Sequence, residues 1–213
     1  MATINTKRTN SRGQGFSTLG QGAALSMILA LSLAALIGCE VHEGPTQIVE
    51  NSFDVRESVW LEVNGFNGSI TVNLGEEGQV LVRTSLRQPN RLEYTTQQDG
   101  GRIVINARRL GNFFDLLSRA SAKIEVTVPR STYVDLDTSN GGIKINGIEG
   151  GGVLKTSTGA ITATDIEGDY TLETSNGRVT VQNVRGTFDI RTSNGSIDFD
   201  GELVPSGENR IRT

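Results

Sequence analysis

A four-residue motif returns through the C-terminal part of this chain at a fixed step of 18 residues. Thr-Ser-Asn-Gly begins at Thr138, becomes Thr-Ser-Thr-Gly at Thr156, and is restored at Thr174 and Thr192. Other columns keep the same step. Leu136, Leu154, Leu172 and Ile190 stand two residues before the threonine; Ile143, Ile161, Val179 and Ile197 stand five after it; Ile145, Ala163, Val181 and Phe199 stand seven after it. Ile148, Ile166 and Val184 close the unit, each followed two residues later by Gly150, Gly168 or Gly186. A step this strict constrains the fold more than composition does, because each unit must be one supersecondary element that buries its apolar face against copies of itself.

Within a unit, apolar residues alternate with polar ones in two stretches, as in Tyr170-x-Leu172-x-Thr174 and Val179-x-Val181. Period-2 alternation places one set of side chains on one face of a strand. Between the stretches stand Asn140-Gly141, Gly159, Asn176-Gly177 and Asn194-Gly195, residue types suited to turns. The expectation is positive φ at one or both residues of the pairs Asn176-Gly177 and Asn194-Gly195. Two all-β architectures fit. In a β-solenoid each unit is a coil stacked on the last, roughly 4.8 Å away, and equivalent residues form ladders. In a meander of antiparallel hairpins the same Asn-Gly pairs would be hairpin turns. The solenoid is the expected fold, because self-stacking rewards a constant unit length and identical side chains at successive levels.

Less regular alternating segments precede the repeats: Ser58–Val63, Gly68–Leu74, Gln79–Ser85, Leu92–Thr96, Arg102–Ala107 and Lys123–Val128. Asn67-Gly68-Ser69-Ile70-Thr71-Val72 matches Asn194-Gly195-Ser196-Ile197-Asp198-Phe199, so the unit starts early, with longer returns, and becomes regular after Pro129. One β-repeat domain is expected over 53–213. Leu110, Phe113, Phe114 and Leu117 follow helical spacing beside Arg108, Arg109 and Arg119, which suits a short covering helix or a contact with a membrane or partner. Ile211 and Thr213 stand 21 residues after Ile190 and Thr192, one unit plus a three-residue insertion; with no second stretch after them, the domain is expected to be incomplete at this end.

Residues 1–38 read as an export signal. Lys7, Arg8 and Arg12 make a positive start, and an uncharged stretch follows whose apolar run, Ala23–Ile37, is short for a membrane-spanning helix. Leu36-Ile37-Gly38 leads directly into Cys39, the only cysteine of the chain. This arrangement resembles the bacterial lipobox, in which the cysteine is lipidated and becomes the new N-terminus. The alternatives are an uncleaved signal anchor and a soluble secreted form. Residues 39–52 read as the lipidated cysteine and a polar tether that contains His42. Loss of 1–38, with three cations and no acid, takes the net charge from −4 to −7. An acidic chain lacks the basic stripe that nucleic acid requires.

No catalytic constellation or metal site emerges. The lone His42 leaves Ser175 and its repeat equivalents without a base, and it rules out a histidine-rich metal site. Asp135, Asp137, Asp165, Asp169, Asp189 and Asp198 alternate with apolar columns, as on a solvated face, although polysaccharide-active solenoid enzymes use such acids. The spacing of calcium-binding nonapeptide repeats is missing, and Gly150-Gly151-Gly152 lacks the context of a phosphate cradle. No cofactor is expected.

The signal ending at Cys39, the strand ending in Val128-Pro129-Arg130 and the Thr-Ser-Asn-Gly-x-Ile units together resemble the bacterial putative-adhesin family, a domain-of-unknown-function group of envelope proteins. The resemblance covers about 53–213. It implies a β-solenoid-like fold at the cell envelope and carries over no catalytic residues. The expected function is a non-enzymatic, membrane-anchored lipoprotein on the exported side that presents a rigid β-repeat surface to a protein or glycan. The alternatives are a structural or signalling envelope component, or a polysaccharide-active β-helix enzyme.

Overall fold

Alternation turns each repeat into a pair of short strands, one on each side of a flattened coil. The structure, a computed structural model, describes residues 45–111, 119–205 and 207–213. The expected signal 1–38, with Leu36, Ile37, Gly38 and Cys39, lies outside the described residues, as do His42, Phe113, Phe114 and Leu117. Strands are numbered in chain order, β1 to β15.

The front of the coils is formed by β2 (Val59–Asn67), β6 (Arg102–Arg109), β8 (Thr132–Asn140), β10 (Gly152–Thr158), β12 (Glu167–Asn176) and the second half of β13 (Val179–Asn194). The back is formed by β3 (Ile70–Leu74), β7 (Ser121–Val128), β9 (Ile143–Asn146), β11 (Ile161–Thr164), the first half of β13 and β14 (Ile197–Leu203). In the repeats every neighbour is parallel, and the register advances by 18 residues: Leu136↔Leu154↔Leu172↔Ile190 in front, Ile143↔Ile161↔Val179↔Ile197 behind. This is the β-solenoid; the hairpin meander is excluded by the parallel pairing. β15 (Arg210–Arg212) continues the front with Ile211 opposite Ile190, so the 21-residue step is an insertion within a stacked coil.

The order of the coils departs from the order of the chain. β2 lies between β6 and β8, and β3 lies between β7 and β9, all in parallel. The coil β2–β3 is therefore inserted between the later coils β6–β7 and β8–β9. Beyond β6–β7 the pairing turns antiparallel: β5 (Leu92–Asp99) on β6, β4 (Gln79–Arg87) on β7, and β1 (Thr46–Asp54) on β4. The segment 39–52 was expected to be a polar tether throughout, but β1 takes up its second half from Thr46. The reason is local. Val49 and Phe53 alternate inward and pack on the core, while the β1 backbone pairs the otherwise open edge of β4.

Inside the coils the ladders are closed to solvent. Leu61, Val63, Leu136, Leu154, Leu172 and Ile190 are fully buried, as are Ile145, Ile161, Ala163 and Val181. Each such large aliphatic side chain contributes roughly 1.5–3 kcal/mol on burial. Tyr170 and Phe188 occupy equivalent positions of successive coils and stack at 5.9 Å, with Phe199 edge-on to Phe188 at 5.5 Å.

At Gly177 and Gly195 the turn motif is explained by contacts between coils, not by backbone handedness. Neither Asn176 and Gly177 nor Asn194 and Gly195 has a left-handed φ, which corrects the expectation for these pairs. A Cβ on Gly177 would overlap the Gly159 carbonyl oxygen, and one on Gly195 would overlap the Gly177 carbonyl oxygen. The column is glycine because neighbouring backbones touch there. Gly159 also bonds to the next coil twice: its N–H donates to the Asn176 carbonyl at 3.0 Å, and its carbonyl accepts from Thr174 Oγ1 at 3.0 Å. Left-handed residues occur instead at the opposite corner, at Gly147 (φ 79), Asp165 (φ 53) and Asn183 (φ 52), again 18 residues apart. Asp and Asn are the non-glycine residues that tolerate this conformation best.

Candidate functional site

With the inward faces closed by aliphatic columns, any recognition chemistry must stand on the outward faces. On the front, alternation in β2 turns Val59, Leu61 and Val63 inward and Trp60, Glu62 and Asn64 outward. Trp60 is the only tryptophan of the chain, and it is 47% exposed. Its neighbours in the same row are Arg102 on β6 and Tyr133 on β8. The Trp60 and Tyr133 rings lie 4.9 Å apart at 58°, and the Arg102 guanidinium carbon sits 5.6 Å from the Trp60 ring centre. This is the distance at which a cation is attracted by an indole face.

The next outward row, two residues along the strands, holds Val104, Glu62, Asp135 and Val153; the one after it holds Asn106, Asn64, Asp137 and Lys155. Arg102 reaches diagonally to Glu62, with Nη2 donating to Oε2 at 2.6 Å. Asn64 Nδ2 donates to Glu62 Oε1 and to Asn106 Oδ1, each at 3.0 Å. The Arg102 hydrogen bond, helped by Asn64, holds the Glu62 carboxyl below the usual carboxylate range. Asp137 goes the other way: partial burial and then the Asp135 charge push its carboxyl up, opposed by Lys155. The patch therefore consists of two tilted aromatic rings beside a fixed fork of donors and acceptors, with acidic charge in excess.

A shallow groove of about 680 Å³ lies on the back of the antiparallel end and is lined by Glu50, Leu81, Arg83, Glu125 and Thr127 among others. Its charges are satisfied locally: Arg83 pairs with Glu50 at 3.5 Å, and Lys123 with Glu125 at 2.6 Å. It offers no aromatic ring.

The residues singled out in the repeats, Asn140, Gly141, Gly159, Asn176, Gly177, Asn194 and Gly195, gather along one corner of the coils. Asp135 and Asp137 come together on the front, while Asp165 lies at the left-handed corner and Asp198 on the back. Among the described residues no group of three or more metal-ligating side chains is assembled. The alternation of Ser58–Val63 predicts a strand but does not by itself single out Trp60 as a site residue. The signal that could have found it is the phase of that alternation, which turns the indole away from Val59, Leu61 and Val63.

A match to the family described as Toastrack DUF4097 spans residues 60–204. Among solved structures, a putative cell adhesion protein from Clostridium sporogenes is similar over 74% of this chain and 100% of its own, with 12% identity and a TM-score of 0.53. A putative adhesin from Bacteroides fragilis is similar over 74% of this chain and 96% of its own, with 12% identity and a TM-score of 0.33. At such identity the first likeness is one of fold, and the second supports no argument. No curated protein matches the chain.

Proposed function

The chain belongs to the Toastrack DUF4097 family, and on that premise we propose that it is a non-enzymatic binding module of the bacterial cell envelope, held at a membrane through a lipidated Cys39 and presenting the front of its solenoid to a partner. The observation that carries this reading is the placement of Trp60. A sole tryptophan set outward on a rigid strand, with Tyr133 and Arg102 in the same row, forms a recognition surface. Tryptophan, tyrosine and arginine are the residue types that dominate binding energy when a partner desolvates them. The sheet beneath is fixed by buried ladders on both sides, so little ordering cost falls on association. The sequence Leu36-Ile37-Gly38-Cys39 supports the anchor. An adhesive role accords with the description of the Clostridium sporogenes protein of like fold.

The test is a binding screen of the full chain against envelope and surface polymers and proteins, run beside Trp60→Ala and Tyr133→Ala. Retention that is lost in both variants, with unchanged melting, is the expected result. Retention unaffected by either substitution removes the front patch as the binding surface. No retention on any polymer or protein favours a structural envelope role.

A further inference from the structure

We propose that the Trp60–Tyr133 row is a carbohydrate subsite that takes an uncharged sugar. This rests on the reading of the front as a binding surface and adds the class of ligand. A sugar ring presents an apolar C–H face and a rim of hydroxyl groups. Its recognition needs an exposed aromatic plane, with paired donors and acceptors along the edge of that plane. The front supplies both within two rows. Trp60 and Tyr133 give two rings inclined at 58°. The adjoining row supplies the Glu62 and Asp135 carboxylates as acceptors, directly opposite each other in register. Arg102 gives one of its five donors to Glu62 Oε2 and holds its guanidinium over one side of the Trp60 ring. Asn64 and Asn106 continue the polar row as a bonded amide pair.

Two features separate an uncharged sugar from other partners. Charge is the first. Arg102 balances Glu62, but of Asp135 and Asp137 only Asp137 has a cation opposite it, Lys155, while Asp135 faces Val153. An anionic polysaccharide would meet like charge, which disfavours it. The second is the surroundings of the rings. A protein hot spot is expected to sit in an apolar core from which charged residues are depleted. Here the row next to the rings holds two carboxylates, and its only apolar members are the half-buried Val104 and Val153. The aromatic pair is an island in a polar field, which suits a ligand that is itself polar around one apolar face.

Because Trp60 is the only tryptophan, its emission reports on this site alone. The experiment titrates the full chain with uncharged oligosaccharides, a panel of glucose, galactose, mannose and N-acetylglucosamine tetramers, and with an anionic tetragalacturonate. At least one uncharged tetramer is expected to produce a saturable change in Trp60 emission, with tetragalacturonate binding at least about tenfold more weakly. Tyr133→Ala is expected to weaken the response about tenfold or more. Trp60→Ala, followed by calorimetry, is expected to lose the binding heat, while Asp198→Ala on the back leaves it unchanged. Circular-dichroism melts of each variant separate loss of binding from loss of fold. No saturable response to any uncharged tetramer, or an equal response to tetragalacturonate, overturns the proposal. If a protein ligand is then captured through Trp60, the sugar proposal fails and the binding module stands.

Discussion

Thr174 and Gly159, fifteen residues apart in the chain, are joined across neighbouring coils: Thr174 Oγ1 donates to the Gly159 carbonyl oxygen at 3.0 Å. Thr156 does the same to Gly141 at 2.9 Å, and Thr192 to Gly177 at 3.1 Å. These threonines are buried. Threonine to valine keeps the shape and removes the donor, leaving a half-buried carbonyl without its partner. Thr174→Val is expected to lose about 1–3 kcal/mol of stability, read from denaturant midpoints at constant slope. A midpoint equal to wild type would mean that the hydroxyl ladder contributes nothing.

At Gly177 the obstacle is the Gly159 backbone, which cannot swing aside as a side chain can. Gly177→Ala is therefore expected to cost about 1–3 kcal/mol or more, through displacement of one coil from the next. The handedness of the turn plays no part, since φ at Gly177 is not left-handed. The cost is read from denaturant midpoints at constant slope. A Gly177→Ala midpoint equal to wild type would contradict the close approach of the two backbones.

Leu154 and Leu172 are paired in register and fully buried, whereas Lys155, the next residue along the strand from Leu154, points to solvent. Leu154→Ala or Leu172→Ala is expected to cost about 2–5 kcal/mol. Lys155→Ala is expected to cost under about 0.5 kcal/mol. Equal costs at all three positions would contradict the inward assignment of the leucine column.

Anchoring is proposed from the residues around Cys39. Cys39→Ser is expected to release the protein from the membrane fraction or to stop its maturation, because stable attachment needs acyl chains that only the cysteine can carry. Fractionation with metabolic labelling by a fatty acid checks it. A serine variant that is acylated and membrane-bound like wild type would end the lipoprotein reading.

The stacked coils are legible in the 18-residue columns, because inward ladders of Leu136, Leu154, Leu172 and Ile190 need the same residue type at each level. The match between Asn67–Val72 and Asn194–Phe199 likewise reveals the early coil. What alternation does not reveal is which coil neighbours which. It assigns a side chain to a face but carries no information on the order of levels, so the insertion of β2–β3 between β6–β7 and β8–β9 is hidden from it. Trp60 and Tyr133 are brought together by that insertion, and so their pairing is hidden too. β1 escapes notice because Glu50, Asn51 and Ser52 make its composition polar, although Val49 and Phe53 carry the strand phase. Glycine in the turn motif suggests positive φ; the close approach of successive coils, which selects it, is a contact between levels that no local pattern records.

Trp60 stands outward beside Tyr133, and acrylamide quenching of the single tryptophan tests this in the folded chain. With 47% exposure and Tyr133 shielding one side, the expected emission is red-shifted and readily quenched, and Tyr133→Ala should increase the quenching further. Blue-shifted emission that resists acrylamide until the protein is denatured would place Trp60 in the core and contradict both the strand phase of β2 and the binding surface built on it.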